Sequence, residues 1–226
     1  MMDPAPFPDC GPSPLGIYPI VDRADKLVPL YEAGITTAQL RVKDLTGAAL
    51  KAEALQATAL SRTFGARLFL NDAWQLALQI DAYGVHLGQE DIRRADVDAL
   101  RRAGIRLGIS THTPEEIAFA VAYRPSYLAI GPIYEPIAKP VAYDPVGLQR
   151  LKAWSASLAT PIVAIGGITE ETITGVIDTG VADGIAMISA VLDRNGAIAP
   201  KRVRALIHAW NRRTYADPDR SDRRRI

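Results

Sequence analysis

The sequence predicts an α/β protein built as a single (β/α)8 TIM barrel. Short apolar runs alternate with amphipathic, helix-like stretches about eight times, and this alternation is typical of a parallel sheet. Eight such units within roughly 200 residues have the size of a small barrel. Polar and glycine residues also collect at the carboxyl ends of the apolar runs, where a barrel carries its active site. A doubly wound open sheet is the alternative fold.

Each predicted element rests on a local pattern. The apolar runs indicate strands over residues 16–22, 37–43, 67–71, 84–88, 106–110, 127–131, 161–166 and 184–189. Helix ends are also marked: Thr46 is a candidate cap for an alanine-rich helix over 46–62, Pro114 opens a later helix, and Gly180 closes another. A last helix covers 201–212.

Composition excludes several classes of protein. The 226 residues are 48% hydrophobic with a net charge of +1, which provides one core and little attraction for nucleic acid or an anionic membrane. No apolar run reaches the roughly 18 residues of a membrane span, and the first residues lack a signal-peptide pattern. A single cysteine excludes an intrachain disulfide. We expect a cytoplasmic protein with a flexible arm (1–14), a barrel (15–213) and a polar tail (214–226), and self-association into a homo-oligomer stays open.

The run from 39 to 44, Gln-Leu-Arg-Val-Lys-Asp, is the most informative segment. Side chains alternate between the two faces of a strand, so Gln39, Arg41 and Lys43 share one face. A barrel strand is buried on both sides, where an amide and two cations are costly unless an anion meets them. The run therefore predicts a small, phosphorylated ligand.

Acidic clusters follow two neighbouring predicted strands. Asn71 and Asp72 end the third strand, and Asp91 follows the fourth. Converging carboxylates suit Mg²⁺, which is usually held by one or two carboxylates together with substrate phosphate oxygens. Beside Arg41 and Lys43 they indicate a metal–diphosphate site. The alternative is helix capping, because a helical pattern follows each aspartate.

Glycines suggest a second anion site. Gly166 and Gly167 end the seventh strand just before a helix, and Ile188 and Ser189 end the eighth. Loops after strands seven and eight of a barrel often bind phosphate through backbone N–H groups, although a tight turn alone would also explain the glycines. Two anion sites at one barrel mouth indicate two phosphorylated substrates and hence a transferase.

The histidines and the cysteine are weaker candidates. His86 lies among apolar neighbours, which favours a hydrogen-bonded core histidine. His112 follows the fifth strand and is a candidate general acid or base. His208 and Cys10 are expected to be inert, and no Gly-x-Ser-x-Gly elbow, P-loop or Cys-x-x-Cys motif is present.

Over residues 16–192 the chain resembles the thiamine phosphate synthases. The resemblance is carried, in order, by Tyr-Pro-Ile-Val-Asp (18–22), Gln-Leu-Arg-Val-Lys (39–43), Leu-Asn-Asp (70–72), Val-His-Leu-Gly-Gln-Glu-Asp (85–91), Gly-Ile-Ser-Thr-His (108–112), Gly-Pro-Ile-Tyr (131–134), Ala-Ile-Gly-Gly-Ile (164–168) and Ile-Ser-Ala (188–190). It implies an enzyme that joins 4-amino-2-methyl-5-hydroxymethylpyrimidine diphosphate to a carboxylated thiazole phosphate. The products are thiamine phosphate, diphosphate and CO₂.

The resemblance also implies a role for each matching residue. Pyrimidine diphosphate would be bound by Gln39, Arg41, Lys43, Asn71, Ser110 and Lys139, of which Arg41, Lys43, Ser110 and Lys139 would be catalytic. Mg²⁺ would be held by Asp72 and Asp91, and thiazole phosphate by Gly167, Ile188 and Ser189. The implied reaction is dissociative: diphosphate leaves first, and the thiazole nitrogen captures the pyrimidinylmethyl cation.

The loop after the sixth strand departs from the family pattern. The family usually has Pro-Thr-x-Thr-Lys there, whereas this chain has Glu135, Pro136, Ile137, Ala138 and Lys139. Two hydroxyls that help bind thiazole phosphate are therefore replaced, one of them by a proline without a backbone donor.

Two other functions fit the same scaffold. The related thiazole tautomerases place a histidine where this chain has His112. With Glu135, the loop after the sixth strand also resembles the corresponding loop of the tautomerases. A tautomerase has no need of Lys43, Asp72 and Asp91 together, so these residues favour the synthase. A non-catalytic barrel that retains only the pyrimidine site is the third interpretation, and the altered sixth loop supports it.

Overall fold

A computed structural model describes residues 4–135 and 144–214 of the chain. Within them, eight parallel strands close into a barrel in chain order. The strands are β1 (Gly16–Val21), β2 (Thr37–Leu40), β3 (Arg67–Asn71), β4 (Gly84–Leu87), β5 (Arg106–Thr111), β6 (Tyr127–Ile130), β7 (Ile162–Ile165) and β8 (Gly184–Met187). The predicted TIM barrel is confirmed, and the open sheet is wrong because β8 pairs with β1 over four residues, from Gly16 with Gly184 to Pro19 with Met187.

Helices connect the strands on the outside of the barrel. In the described ranges they are α1 (Leu27–Glu32), α2 (Gly47–Thr63), α3 (Trp74–Gln79), α4 (Gln89–Arg94), α5 (Val97–Arg102), α6 (Pro114–Val121), α7 (Gly147–Ser155), α8 (Ile173–Asp178) and α9 (Pro200–Thr214). None of those described has the combination of length and apolar composition that a membrane span requires.

The predicted helix ends are mostly confirmed. Pro114 begins α6, and Thr113 Oγ1 accepts a hydrogen bond from the backbone N–H of Glu116, so α6 carries a capped first turn. Thr46 occupies the cap position of α2, as predicted, but its side chain makes no capping hydrogen bond. The reason lies in Gly47, whose φ of +56° takes the start of α2 out of right-handed helical geometry.

Apolar side chains fill two layers. The larger layer lies between the sheet and the helices, and a smaller cluster around Tyr18, Phe69 and Tyr127 fills the barrel interior. Two glycines make room for these rings. A Cβ at Gly84 would lie 2.4 Å from the ring of Phe69, and one at Gly108 would lie 2.1 Å from that of Tyr127. The wide aromatic interior therefore depends on glycine at one inward position of β4 and one of β5.

The N-terminal segment from residue 4 to 14 packs against the amino-terminal end of the barrel. Arg67, at the start of β3, donates hydrogen bonds to the carbonyls of Cys10, Ser13 and Pro14 at 2.7–3.1 Å. Phe7 and Cys10 are buried. Apolar burial and hydrogen bonds therefore place residues 4–14 on the face opposite the strands' carboxyl ends, and the flexibility expected of this arm stays a prediction.

Candidate active site

The segment 39–44 does not form the buried cationic strand that its alternation predicts. β2 ends at Leu40, so Gln39 is buried inside the barrel at 2% exposure while Arg41 and Lys43 lie in the following loop and are exposed. The correction has a simple cause: once the strand ends, the two cations reach water and avoid the cost of burial. They still stand at the carboxyl end of the barrel, where ligands bind.

Lys43 and Asp72 form an ion pair between the neighbouring loops after β2 and β3. Lys43 Nζ lies 2.7 Å from Asp72 Oδ2, and both side chains are partly exposed. Asp72 itself has a φ of +61°, and its backbone N–H donates to the carbonyl of His86. Because the pair is partly exposed, it contributes little to stability and can exchange partners with an incoming anion or cation.

Neither candidate metal ligand caps a helix. The residue at the cap of α3 is Ala73, and the residue at the cap of α4 is Gly88. Asp91 instead lies in the first turn of α4, where its carboxylate faces Asp72. The capping interpretation of Asp72 and Asp91 is therefore wrong.

The carboxyl group of Asp91 is perturbed by its surroundings. Partial burial raises the pKa of Asp91, and the nearby charge of Asp72 raises it further, while Lys43 and Arg94 oppose the shift. Raised carboxyl pKa values of this kind arise where two acids share one site, and a bound cation relieves the repulsion. Within residues 4–135 and 144–214 no cluster of three or more metal-ligating side chains forms. Two carboxylates fit Mg²⁺ whose other ligands are phosphate oxygens and water.

Other acids at the mouth are already paired. Asp44 accepts a hydrogen bond from Arg23, and Asp22 accepts one from Lys26 at 2.7 Å. In the described part of the chain, Arg41 takes part in none of these ion pairs. The mouth therefore presents the exposed guanidinium of Arg41 and the ammonium of Lys43, whose ion-pair partner Asp72 is itself partly exposed.

Ser110 is tied to the barrel interior through His86. The two ring nitrogens of His86 lie 2.7 Å from Tyr127 Oη and 2.7 Å from Ser110 Oγ. The expectation of a hydrogen-bonded core histidine is confirmed. Burial lowers the pKa of His86 to about 4, so the imidazole is neutral at neutral pH.

His112 is hydrogen-bonded to Glu116 of α6, the helix that follows it. Glu116 Oε2 lies 2.8 Å from His112 Nδ1 and also accepts the backbone N–H of His112 at 2.7 Å. This local (i, i+4) pairing fixes one side of the imidazole at the start of α6.

The second predicted anion site lies across the mouth, after β7 and β8. Gly167 has a φ of +66°, and a Cβ there would lie 2.6 Å from the carbonyl oxygen of Tyr134 and 2.7 Å from that of Glu135. The glycine therefore lets the loops after β6 and β7 touch. Ile188 and Ser189 are exposed after β8, which leaves them accessible from the mouth.

Comparison with known proteins identifies the family. The family model of thiamine monophosphate synthase matches residues 17–191. The chain belongs to this family. It is 46% identical to the thiamine-phosphate synthase of Serratia proteamaculans over 187 residues, 82% of this chain and 87% of that protein. It is 48% identical to the one of Cronobacter sakazakii over 181 residues, 80% of this chain and 86% of the relative.

Solved structures agree with this membership of the thiamine monophosphate synthase family. A thiamine phosphate pyrophosphorylase from Pyrococcus furiosus superposes with a TM-score of 0.76 at 30% identity, covering 88% of this chain and 96% of the other. A phosphoribosylanthranilate isomerase from the same organism, at 14% identity and a TM-score of 0.65, shares the fold alone. It covers 87% of this chain and 99% of its own.

The barrel of this thiamine monophosphate synthase family member brings most predicted site residues to one end. Gln39 and Asn71 lie at or near the ends of β2 and β3, Asp72 follows β3, and Ser110 lies near the end of β5. Lys139 lies outside the described residues, as do the two replaced positions, 136 and 138. Glu135 is described and exposed.

Sequence reasoning missed three residues of the site. Tyr18 and Tyr127 connect Gln39 to His86 inside the barrel, and Gln89 Nε2 donates to the carbonyl of Ser110 at 2.7 Å. Tyr18 lies two residues before Ile20, the register partner of Gln39, so the two share the inward face of β1, and this spacing is the signal that could have revealed Tyr18.

Proposed function

We propose that this chain is a thiamine-phosphate synthase. It joins 4-amino-2-methyl-5-hydroxymethylpyrimidine diphosphate to a carboxylated thiazole phosphate and releases diphosphate and CO₂. The observation that carries the proposal is the convergence of Lys43, Asp72 and Asp91 at the barrel mouth, at the same end of the barrel as Ser110. Such a group of charges suits a diphosphate bound with a divalent cation. Its cytoplasmic location and homo-oligomeric state stay predictions.

Mg²⁺ is the cation that this donor set fits. Asp72 and Asp91 would hold it through hard carboxylate oxygens, and the repulsion that raises the pKa of Asp91 would be relieved on binding. When bound, Mg²⁺ supplies positive charge to stabilise the oxygen from which the carbon–oxygen bond breaks.

The chain's own cations act on the leaving group. Arg41 and Lys43 are exposed in the loop after β2 and bind the diphosphate, and Lys43 exchanges Asp72 for a phosphate oxygen. Ser110 and Asn71 contact the same substrate, and Gln39 holds the pyrimidine from inside the barrel. The bond between the pyrimidinylmethyl carbon and the diphosphate oxygen breaks, and its electron pair leaves with diphosphate. Charge stabilisation there is the kind of effect that dominates enzymatic rate enhancement.

The thiazole phosphate arrives from the opposite side of the mouth. Its ring nitrogen donates an electron pair to the pyrimidinylmethyl carbon, and the bonding pair of the departing CO₂ stays with the ring, which takes up a proton. Gly167, Ile188 and Ser189 bind its phosphate group, with Gly167 setting the path of the loop after β7. Lys139 assists on the diphosphate side.

The tautomerase alternative is less well supported. His112 shares Glu116 with the backbone of its own helix, and the Lys43, Asp72 and Asp91 group would have no use in a proton transfer. A non-catalytic barrel would keep this same group, because the group belongs to the pyrimidine diphosphate site. The similarity to thiamine-phosphate synthases supports the enzyme over this alternative.

The experiment that tests the proposal is a reconstitution with a matched pair of variants. Purified protein, pyrimidine diphosphate, carboxylated thiazole phosphate and Mg²⁺ should yield thiamine phosphate, detected by chromatography. Asp72→Asn should lose nearly all activity, whereas Asp81→Asn should keep it. Both aspartates have a positive φ and a cationic partner, but Asp81 faces Arg62 far from the mouth.

Asparagine tolerates the left-handed backbone, so both variants are expected to fold. Absence of product with the wild-type protein would overturn the synthase proposal. Equal activity of the two variants would remove Asp72 from the metal site.

A further inference from the structure

A continuous chain of five polar side chains crosses the barrel interior. Gln39 Nε2 donates to Tyr18 Oη at 3.4 Å, and Tyr18 Oη lies 2.9 Å from Tyr127 Oη. Tyr127 Oη lies 2.7 Å from His86 Nδ1, and His86 Nε2 lies 2.7 Å from Ser110 Oγ. Gln39, Tyr18, Tyr127 and His86 are all buried. The chain joins two residues that are proposed to touch the pyrimidine diphosphate.

The amide of Gln39 fixes the first hydrogen bond of this chain, and one consistent direction for the others follows from it. An amide nitrogen donates but cannot accept, so Tyr18 Oη accepts from Gln39. Tyr18 is buried and its hydroxyl hydrogen needs an acceptor, which Tyr127 Oη at 2.9 Å provides. Tyr127 in turn directs its own hydrogen to His86 Nδ1, which must be unprotonated to accept it.

The orientation continues through His86 to Ser110. A neutral imidazole that accepts at Nδ1 carries its proton on Nε2 and donates to Ser110 Oγ. The hydroxyl hydrogen of Ser110 is then not needed by His86 and can be donated into the mouth. With the opposite tautomer, Ser110 would donate to His86 Nε2 and would present only lone pairs to an anion.

We propose that His86 is a positioning residue that holds Ser110 as a hydrogen-bond donor toward the departing diphosphate. The inference rests on the synthase function proposed above. Negative charge grows on the diphosphate as its bond to carbon breaks, so a donor fixed in advance stabilises the transition state more than the bound substrate. His86 therefore acts on kcat through Ser110 without touching the substrate.

The first test reads the tautomer directly, without substrate. Long-range ¹H–¹⁵N spectra of the labelled full-length protein at pH 7.5 should show His86 protonated at Nε2 only. The chain has three histidines, and His112→Asn and His208→Asn assign the other two signals by their disappearance. Protonation at Nδ1, or at both nitrogens, would overturn the proposal whether or not the protein makes thiamine phosphate.

The second test separates kcat from KM. His86→Leu removes the donor to Ser110 and should lower kcat roughly tenfold to hundredfold, less than the hundred- to thousandfold cost of deleting a transition-state donor outright. KM for pyrimidine diphosphate should change less than threefold. His86→Gln restores an N–H that can reach Ser110 and should recover most of kcat.

Two tyrosine variants provide a matched comparison. Tyr127→Phe removes the hydroxyl that fixes the imidazole and should lower kcat. Tyr83→Phe also removes a tyrosine hydroxyl from a ring packed on Phe69, but that hydroxyl bonds to the Cys10 carbonyl at the opposite end of the barrel, so kcat should be unchanged. Equal effects of both variants, with circular dichroism showing folded proteins, would mean that His86 only supports the core.

Discussion

At the scale of single residues, the carboxylates of Asp72 and Asp91 repel each other within the site. The pKa of Asp91 is raised by partial burial and by the charge of Asp72, so the folded protein holds this proton to a higher pH than the unfolded chain does. Protonated Asp91 therefore adds to the free energy of unfolding. This contribution is fully present at low pH and is lost as the pH rises through the raised pKa. At neutral pH the ionised pair therefore destabilises the metal-free protein.

Asp91→Asn should raise the melting temperature of the metal-free protein at pH 7.5, because it removes this repulsion. The gain should shrink toward pH 4, where Asp91 is increasingly protonated in the wild type. Mg²⁺ at one hundred times its dissociation constant should stabilise the wild type by about 2.7 kcal/mol and the variant much less. Differential scanning fluorimetry with and without Mg²⁺ measures both effects.

Asp98→Asn is the control for this variant. Asp98 also lies in the first turn of a short helix, α5, but it pairs with Arg101 at 2.6 Å. Its replacement should lower the melting temperature slightly and leave the response to Mg²⁺ intact. If Asp91→Asn destabilises the metal-free protein as Asp98→Asn does, the two carboxylates do not share a site.

At the scale of elements, the loops after β6 and β7 depend on each other. Tyr134 N–H donates to the carbonyl of Gly166 at 3.0 Å, and Gly167 meets the carbonyls of Tyr134 and Glu135 with no room for a side chain. The backbone of one loop therefore sets the position of the other, close to the proposed thiazole phosphate site.

Gly167→Ala should raise KM for thiazole phosphate at least tenfold, because the added methyl group displaces the loop after β6. Gly180→Ala is the matched control: its φ of +72° carries the same backbone strain, roughly 1–2 kcal/mol, but its new Cβ would meet no atom within 4 Å. Both variants should be somewhat less stable, and only Gly167→Ala should change KM. An unchanged KM in steady-state kinetics of Gly167→Ala would place the thiazole phosphate elsewhere.

At the scale of the whole molecule, the two ends of the barrel carry different groups of residues. The carboxyl end carries the proposed site, and the amino end is covered by residues 4–14. Arg67, Arg106 and Ser126 lie at or near strand starts and donate hydrogen bonds to backbone carbonyls of this segment. We therefore expect substitutions at the amino end to change the free energy of unfolding without changing kcat.

Arg67→Ala should lower the free energy of unfolding by about 1.5–3 kcal/mol, because charged hydrogen bonds to three backbone carbonyls of the N-terminal segment are lost. Urea unfolding measures the change. Arg62→Ala, which removes an exposed arginine with one bond to the Asp81 carbonyl, should cost less than 1 kcal/mol. Both variants should retain the wild-type kcat, and a large loss of kcat in Arg67→Ala would show that the two ends are coupled.

The sequence by itself determined the barrel, the order of its elements and the end that carries the chemistry. These features follow from local patterns: apolar periodicity marks strands and helices, and parallel strands bring their carboxyl ends together. Asp72 and Asp91 could be predicted as neighbours for that reason, since each follows one of two adjacent strands. His86 could likewise be predicted as a core histidine from its apolar neighbours.

Only the tertiary structure decided where the strands stop and which distant polar groups meet. β2 ends at Leu40, which exposes Arg41 and Lys43, because backbone pairing with β3 ends there while the alternating pattern in the sequence continues. Tyr18 and Tyr127 are 109 positions apart, so their hydrogen bond inside the barrel has no local signal. The contacts of residues 4–14 with strand starts are equally remote in sequence, and closure of the barrel is what brings them together.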